Sequence, residues 1–411
     1  SKGRAFETFM GSFFRGNFGQ YFTPREIVDF IVDVLPIKHD SKVLDTSCGS
    51  GGFLLYALNK VRNEATKYYP NYKNDARQYA RWFPYWHDFA QNNLYGIEIS
   101  EQISRAAKMN MIIHDDGHTN VITSDGLVSD EVLQMKTNNH GFEYGTFDFI
   151  ITNPPFGSTI RQSEQAYLKT YQLGKKEEDW LAVKAVPDNT RDGQSTEVLF
   201  IEQDYKFLKE GGYLAIVLPD GILTNSSMQY VRTQIEDWFR IVAVVSMPQT
   251  AFTANGAGVK SSVLFLKKWD KEHTKNLVDA KKDIEAKLLM DNNYISQRQT
   301  WDLEIKEKQR NKANEIKGKL RITATAAKQT EEYKTWNSEL IAEYAIKIDD
   351  LKTHLQEEYQ RKKQSELPDY PIFMAIAEEI GYDATGKKTT NNDLKIIGEE
   401  LKKFIINLEL K

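Results

Sequence analysis

The sequence predicts an α/β protein, with a mostly parallel sheet flanked by helices on both faces and a long helical C-terminal arm. Three observations carry this prediction. Through about residue 270, short apolar runs rich in β-branched residues alternate with segments of helical period. Several of those runs stop on turn residues, as in "VLDTSCGSGG" and "DFIITNPPFGS". Between 271 and 366 Gly and Pro nearly vanish, and dense charge of both signs surrounds an apolar stripe.

The elements follow in order. "KVLDTS" is a short strand, followed by the turn "CGSGG" and the helical "FLLYALNKV". "NLYGIEIS" is the next strand, followed by the helical "EQISRAAKMNMII", and "VITSDGL" holds a further strand end. "TFDFIIT", "GGYLAIVLP", "IVAVVSMP" and "SSVLFLKK" complete the sheet. In the arm, Leu277, Ile284 and Leu288 share one helical face. Leu340, Tyr344, Ile348, Leu351, Leu355 and Tyr359 share another, at steps of three or four. "GKLRITATAA" (318–327) reads as the turn between two such helices. The arm itself reads chiefly as a solvated helical face, with a partner-docking or DNA-straddling role as the alternative. Pro368 and Pro371 close it, and the chain then returns to a compact helical element. The expected domains are therefore 1–270, 271–366 and 367–411.

Composition narrows the function. A chain of 411 residues is long enough for a full core and a second unit. No apolar run reaches the roughly 18 residues needed to cross a membrane, and no signal peptide is legible. A single cysteine, Cys48, excludes a disulfide framework and a Cys-based zinc site, which points to a cytoplasmic protein. A net charge of −4 argues against a stand-alone nucleic-acid binder, and no strong basic stripe is legible. "RAFETFMGSFF" reads as an amphipathic helix with no cap before it, so a segment upstream of this start is expected.

The strand ends hold the chemistry. Asp45 ends the first strand, with Gly49, Gly51 and Gly52 in the turn, where glycine lets backbone approach a ligand and a helix N-terminus follows. The turn fits neither the dinucleotide pattern nor the phosphate loop, and no lysine follows to meet a γ-phosphate. Glu98 ends the next strand, placed to accept the two hydroxyls of a ribose, with Ile99 beside it to pack on a base. Asp45 and Glu98 lie 53 positions apart, against the usual spacing of about 20. The excess is an aromatic-rich insertion, "NEATKYYPNYKNDARQYARWFPYWHDF", expected to pack as extra helix without moving the strands. Asp125 ends a third strand. Open α/β sheets bind ligands along this carboxyl edge. The implied ligand is a nucleoside with no phosphate anchor.

Asn153, Pro154, Pro155 and Phe156 stand at the same edge. The Asn153 side-chain oxygen and the Pro154 carbonyl are two acceptors held by a stiff turn, matched to the two hydrogens of an –NH2 group. Phe156 offers a flat face to a planar ring. That suits methylation of a conjugated amine such as adenine N6. Acceptors on its hydrogens free the lone pair toward a sulfonium methyl donor, and no strong general base is needed. In duplex DNA the base must first leave the stack.

These residues resemble a known family. "VLDTSCGSGGFL", "LYGIEIS", "TSDGL" and "DFIITNPPFG" look like the successive motifs of S-adenosylmethionine-dependent DNA adenine-N6 methyltransferases of the gamma motif order. "GQYFTPREIVDFIVDVL", "GGYLAIVLPDGIL" and "GAGVKSSVLFLKK" resemble the modification (M) subunit of type I restriction-modification systems, a bacterial host defence. The likeness covers roughly residues 3–270, with a weaker echo at 369–411. It implies a Rossmann-like methyltransferase domain that moves methyl from S-adenosyl-L-methionine to a flipped-out adenine. By this likeness Tyr21, Thr23 and Pro24 close over the methionine end of the donor. Asp45, Cys48, Gly49 and Gly51 form the donor loop, Glu98 holds the ribose, and Asp125 lies near the donor adenine or the target amine. Asn153, Pro154, Pro155 and Phe156 match the catalytic tetrapeptide, and Phe252 the aromatic behind the flipped base. The implied partners are double-stranded DNA, a separate specificity (S) subunit in a two-M, one-S assembly, and a restriction translocase. The family usually has Pro-Ala where this chain has Thr46-Ser47.

Other readings compete. The same chemistry suits an RNA base or a protein glutamine, and a non-catalytic donor-binding defence component is a further class. "IIHDDGH" (112–118) reads as a solvated turn, so no metal is expected. Lys206, Lys209, Arg232 and Arg240 are scattered cations.

Overall fold

A computed structural model describes residues 23–114, 120–161, 166–176, 179–183, 190–253 and 258–410. Tyr21, the N-terminal helical segment and most of the 112–118 loop lie outside the described residues. The chain divides into two compact units. The first holds residues 1–176, 190–271 and 371–411; the second holds 177–189 and 272–370.

The first unit is built on one sheet. Helix α1 (Arg25–Val34) precedes β1 (Val43–Asp45). Next come α2 (Gly52–Tyr68), α3 (Ala76–Asn92), β2 (Leu94–Glu98), α4 (Glu101–Ile113) and β3 (Val121–Thr123). Helix α5 (Asp130–Thr137), β4 (Phe147–Thr152) and the short strands β5 (Thr159–Arg161) and β6 (Gly193–Ser195) follow. Then come α6 (Thr196–Phe207), β7 (Leu208–Pro219), α7 (Asp220–Thr224), α8 (Gln229–Trp238), β8 (Phe239–Ser246) and β9 (Ser261–Lys268). The eight-stranded order is β3-β2-β1-β4-β7-β9-β8-β10, where β10 is Phe373–Ile376. Strand β9 runs antiparallel to β7 and β8; the other pairings are parallel.

Both faces of this sheet are covered, which is why its strands are near-continuous apolar runs. One apolar cluster joins α1, α2 and α3 to the sheet through Phe30, Leu58, Phe89 and Phe265. The other joins α6 and α8 through Ile201, Phe207, Val231 and Trp238. The order reverses between β1 and β4, so the crevice beyond their carboxyl ends is the topological switch point.

The insertion behaves as expected. Its residues extend α2 and build α3, with Trp82, Trp86 and Phe89 buried and Tyr72 stacked on Trp82 at 4.0 Å between centroids. Strands β1 and β2 still pair directly, Val43 opposite Leu94.

The C-terminal residues differ from the expectation of a separate helical element. Strand β10 adds to the sheet edge beside β8. Strands β11 (Ile380–Tyr382) and β12 (Lys388–Asn392) form a hairpin, and α13 (Leu394–Glu409) packs on α1 and the sheet. The Tyr213 hydroxyl and Lys267 both reach Glu409, tying α13 to β7 and β9. The reason is burial: a short chain end has no core of its own, and Leu394, Leu401 and Ile405 find one here.

The second unit is helical. Helix α9 (Lys271–Asp291) leads to α10 (Tyr294–Leu320), the single turn α11 (Ala324–Ala327) and α12 (Glu331–Glu366). Ile284, Leu288, Tyr294 and Leu355 form one cluster, which also takes Leu181 from the 177–189 excursion. Tyr294 is fully buried and donates to the Leu181 carbonyl at 2.7 Å. Ala313, Ile316, Ala327 and Tyr333 form a second cluster at the α10–α12 turn. Of the predicted α12 stripe, Leu340, Tyr344 and Leu355 are buried, while Ile348, Leu351 and Tyr359 are half-buried. The turn falls at 321–323, inside the predicted 318–327.

Candidate active site

Four strand ends meet at the switch point, and side chains stitch them together. Thr152 ends β4, and its hydroxyl lies 2.7 Å from Ser47 Oγ and 3.4 Å from Thr46 Oγ1 in the turn after β1. The turn is a backbone feature. Gly49 and Gly51 have φ of 52° and 82°, a region that side chains disfavour, and Gly51 caps α2. Cys48 donates its N–H to the Ile97 carbonyl of β2 at 2.8 Å. Its side chain is buried, and burial pushes the thiol well up, so it fills space here.

Glu98 fixes the second strand end. One carboxylate oxygen accepts from Gly49 N–H at 3.1 Å and the other from Ser100 N–H at 2.8 Å. It is buried, at 4% exposed, beside the glycine turn. Ile99 next to it is 64% exposed, an apolar side chain left open at the sheet edge. Asp125 accepts from Leu127 N–H at 2.9 Å and from the Tyr167 hydroxyl at 2.8 Å. Gly126 lies so close to the first strand end that a Cβ there would stand 2.5 Å from the Thr46 carbonyl oxygen.

Asp45 is wholly buried. It accepts from Ser47 N–H at 3.1 Å, and burial pushes its pKa up to about 7. Asp204 of α6 is buried behind it and accepts from Thr46 Oγ1 at 2.7 Å. Burial, with Asp45 nearby adding to it, holds Asp204 well above the usual carboxylate range. The Thr46-Ser47 pair, where the resembled family has Pro-Ala, is thus wired into a buried polar network of Asp45, Thr152 and Asp204.

Asn153 follows β4 directly. Its Nδ2 donates to Thr23 Oγ1 at 2.9 Å, which fixes the amide plane. Its Oδ1 is buried with no hydrogen-bond partner among the described residues. An orphaned buried acceptor costs about 1–3 kcal/mol, so it calls for an explanation such as a missing donor. Pro24 accepts the first amides of α1, at Ile27 and Val28, and so holds Thr23 at the start of that helix. The Asn-Pro-Pro-Phe turn is clamped from α6. Thr196 Oγ1 donates to the Pro155 carbonyl at 2.8 Å, and Glu197 accepts from Gly157 N–H at 3.3 Å. Pro154 is buried, Pro155 is exposed, and Phe156 packs half-buried against the main core.

The structure therefore brings Thr23, Asp45, Cys48, Gly49, Gly51, Glu98, Asp125 and Asn153 to one edge of one sheet. Phe252 differs. It is 1% exposed within the main apolar cluster, so its ring faces are already covered by core side chains. Sequence reasoning missed Thr152, Thr196, Glu197 and Asp204. Three of them sit in "STEVLFIEQDYKF", where acids inside an apolar helix are the one visible signal. The scattered cations serve local roles: Lys206 pairs with Glu202 at 2.9 Å, Lys209 with Asp148, and Arg232 caps the Ile222 carbonyl. No group of three His, Cys, Asp or Glu among the described residues has metal-binding geometry. No helix among them is long and apolar enough to cross a membrane.

The family model described as "N-6 DNA Methylase" matches residues 2–336. The type II restriction enzyme and methyltransferase RM.BcgI of Heyndrickxia coagulans is 26% identical over 61% of this chain and 31% of its own length. The type I restriction enzyme EcoEI methylase subunit of Escherichia coli is 24% identical over 62% of this chain and 43% of its own. The crystal structure of the type I restriction enzyme EcoKI M protein superposes with a TM-score of 0.42 at 23% identity, over 63% of this chain and 46% of that one. The chain spans less than half the length of these curated relatives.

Proposed function

Because the chain belongs to the N-6 DNA methylase family, we propose that its switch-point crevice transfers methyl from S-adenosyl-L-methionine to N6 of an adenine extruded from duplex DNA. The observation that carries this reading is the buried Asn153 Oδ1, which has no hydrogen-bond partner among the described residues and belongs to an amide held in place by Thr23.

The donor set supports S-adenosyl-L-methionine. Asp45, Glu98 and Asp125 place three carboxyl groups at successive strand ends, which suits a cationic nucleoside. The positive-φ glycines open the turn for close backbone approach, and no phosphate-loop lysine follows them. When bound, the donor supplies an electrophilic methyl on a positively charged sulfur, which leaves as a neutral thioether. Glu98, at the end of β2, is the acceptor for the ribose hydroxyls. Asp45 and Asp125 contribute negative charge along the edge. Thr23 and Pro24 sit beside Asn153, at the end of the crevice assigned to the methionine portion.

On the substrate side, Asn153 Oδ1 accepts one N6 hydrogen and the Pro154 carbonyl the other. The nitrogen lone pair is thereby released toward the methyl group, and the N6 proton leaves through these acceptors to solvent. The half-buried Phe156 supplies a ring face that replaces part of the stacking lost on extrusion. Thr196 and Glu197 hold the turn rigid, so the acceptors need no rearrangement at the moment of reaction.

The finer reading is the modification subunit of a type I restriction-modification complex. Relatives carry the name type I methylase subunit, and the net charge of −4 favours a chain that reads DNA with help from a specificity subunit. Two such chains per specificity subunit, with a restriction translocase, complete that proposal.

The test is Asn153→Ala. Donor affinity by calorimetry stays within about threefold, while methyl transfer to adenine falls at least about 100-fold, the scale of losing a preorganised transition-state contact. Undiminished transfer would remove the assigned role of Asn153. Labelled methyl appearing in RNA or protein and not in DNA would move the substrate class.

A further inference from the structure

The second unit carries an unbalanced positive face. Residues 306–321 hold seven Lys or Arg against two Glu, in a chain whose net charge is −4. Three of the seven are engaged on the packed side of α10. Lys312 pairs with Glu315 at 3.0 Å and Glu332 at 3.2 Å, Lys319 pairs with Glu332 at 3.6 Å, and Lys308 lies 5.0 Å from the Tyr344 ring centroid. The other four, Lys306, Arg310, Lys317 and Arg321, are exposed and have no ionic or hydrogen-bond partner among the described residues.

Their spacing is not random. At 100° per residue, Arg310 and Lys317 lie within about 40° of Lys306, and Arg321, the C-cap, continues the row. The row runs about 22 Å along the helix axis. Ala313, about 20° round the helix from Lys306, and Ile316, about 80° round, are buried in the cluster at the turn and α12, so the row borders that packed edge. Glu315 stands nearly opposite the row, whereas Glu307 lies three positions before Arg310 on the neighbouring surface yet forms no ion pair with it among the described residues. Lys312 and Lys319 are thus matched by carboxylates, while the four cations of the row are not. Like charges at this spacing repel within a Debye length of about 8–10 Å, so the row raises the free energy of the isolated arm.

We propose that this row is a docking surface for the phosphate backbone of duplex DNA. A phosphate strand is a linear anion with closely spaced charges. Four flexible cations in a row can each neutralise a phosphate and release its counterion, with no base contact required. The choice of DNA rests on the DNA-modification reading of the other unit; the positive row stands independently of it. The surface supplies sequence-neutral affinity, which the net acidic chain otherwise lacks.

The experiment is a salt titration of the full chain on a labelled DNA duplex, over roughly 50 to 200 mM NaCl. The variant K306Q/R310Q/K317Q/R321Q loses about 3 to 4 units of the log–log salt slope, near 0.9 per phosphate, and binds at least about tenfold more weakly at the lowest salt. A control, K275Q/K282Q/K287Q, removes exposed charge from α9 of the same unit and changes the slope by less than about one. A slope unchanged in the first variant, an equal loss per charge in the control, or no duplex binding by the wild type overturns the proposal. Stronger row-dependent binding to an RNA duplex or to anionic lipid vesicles also overturns it. Circular dichroism and donor calorimetry check that the variant is folded. A wild type that binds duplex through the row yet transfers no methyl to DNA would sink the activity reading alone.

Discussion

At the scale of single residues, the site is defined by which polar atoms are satisfied and which are left waiting. Asn153 donates to Thr23 and leaves its buried oxygen unpaired among the described residues. Phe156 is half-buried, so one part of the ring anchors in the core while the rest stays accessible, where the proposed function puts the extruded base. Phe156→Ala therefore slows methyl transfer more on a fully paired duplex than on a substrate whose target base is mismatched, by about tenfold. Steady-state rates on the two substrates check this, and equal losses argue against base stacking. Asp45 makes a pH prediction. Its pKa of about 7 in the fold lies above the value near 4 of an unfolded chain. The folded state thus holds a proton that the unfolded state has lost, and the stability of the donor-free protein falls as pH rises from about 4 through 7. A cationic donor favours the ionised form, so its affinity rises with pH up to about 7, by at most about tenfold per unit, then levels off. Calorimetric titrations from pH 5.5 to 8 check the profile, and Asp45→Asn flattens it. The residues Thr46 and Ser47 were legible only as departures from the family pattern. Their partners, Thr152 and Asp204, lie more than 100 positions away and no local signal joins them.

At the scale of elements, strand ends are the organising feature. The alternation of apolar runs and helical periods placed β1, β2, β3, β4, β7, β8 and β9 correctly, because strands buried on both faces are written as short continuous apolar runs. The long arm was legible for the same kind of reason: a stripe at steps of three and four needs a partner surface. Strand β10 was not, since "FMAI" is four residues long and its exposed Met374 and Ile376 give no helix-or-strand preference by themselves. The contact between Gly126 and the Thr46 carbonyl joins the end of β3 to the end of β1 across the sheet. Gly126→Ala forces these ends apart, costing about 1–3 kcal/mol and weakening donor binding several-fold. Chemical denaturation should show a lower midpoint with an unchanged slope, and donor calorimetry the loss in affinity. A neutral result would mean that the loops yield freely there.

At the scale of the whole molecule, charge is divided unevenly. The chain is acidic overall, yet the α10 row is basic. The net charge hides it, because acids elsewhere in the chain outweigh residues 306–321, and only the helix separates Lys306, Arg310, Lys317 and Arg321 from the engaged Lys308, Lys312 and Lys319. If specificity comes from a separate subunit, the chain alone methylates DNA slowly and without site preference. Coexpression with its specificity partner then raises site-selective methylation by at least about 1,000-fold, the usual gap between specific and non-specific binding. A methylation-site map with and without the partner checks this; full selectivity from the chain alone would place base readout within it.

The amino-acid order alone determined the sheet's strands other than β10, the glycine turn, the acids at the ends of β1, β2 and β3 and the Asn-Pro-Pro-Phe turn, because these are local patterns of apolar period and backbone stiffness. Tertiary structure alone decided that the Asn153 oxygen is buried without a partner among the described residues, that Phe252 is core, that Asp204 backs the glycine turn, and that the last forty residues complete the sheet. Burial and pairing depend on which distant segments meet, and no window of sequence holds both partners.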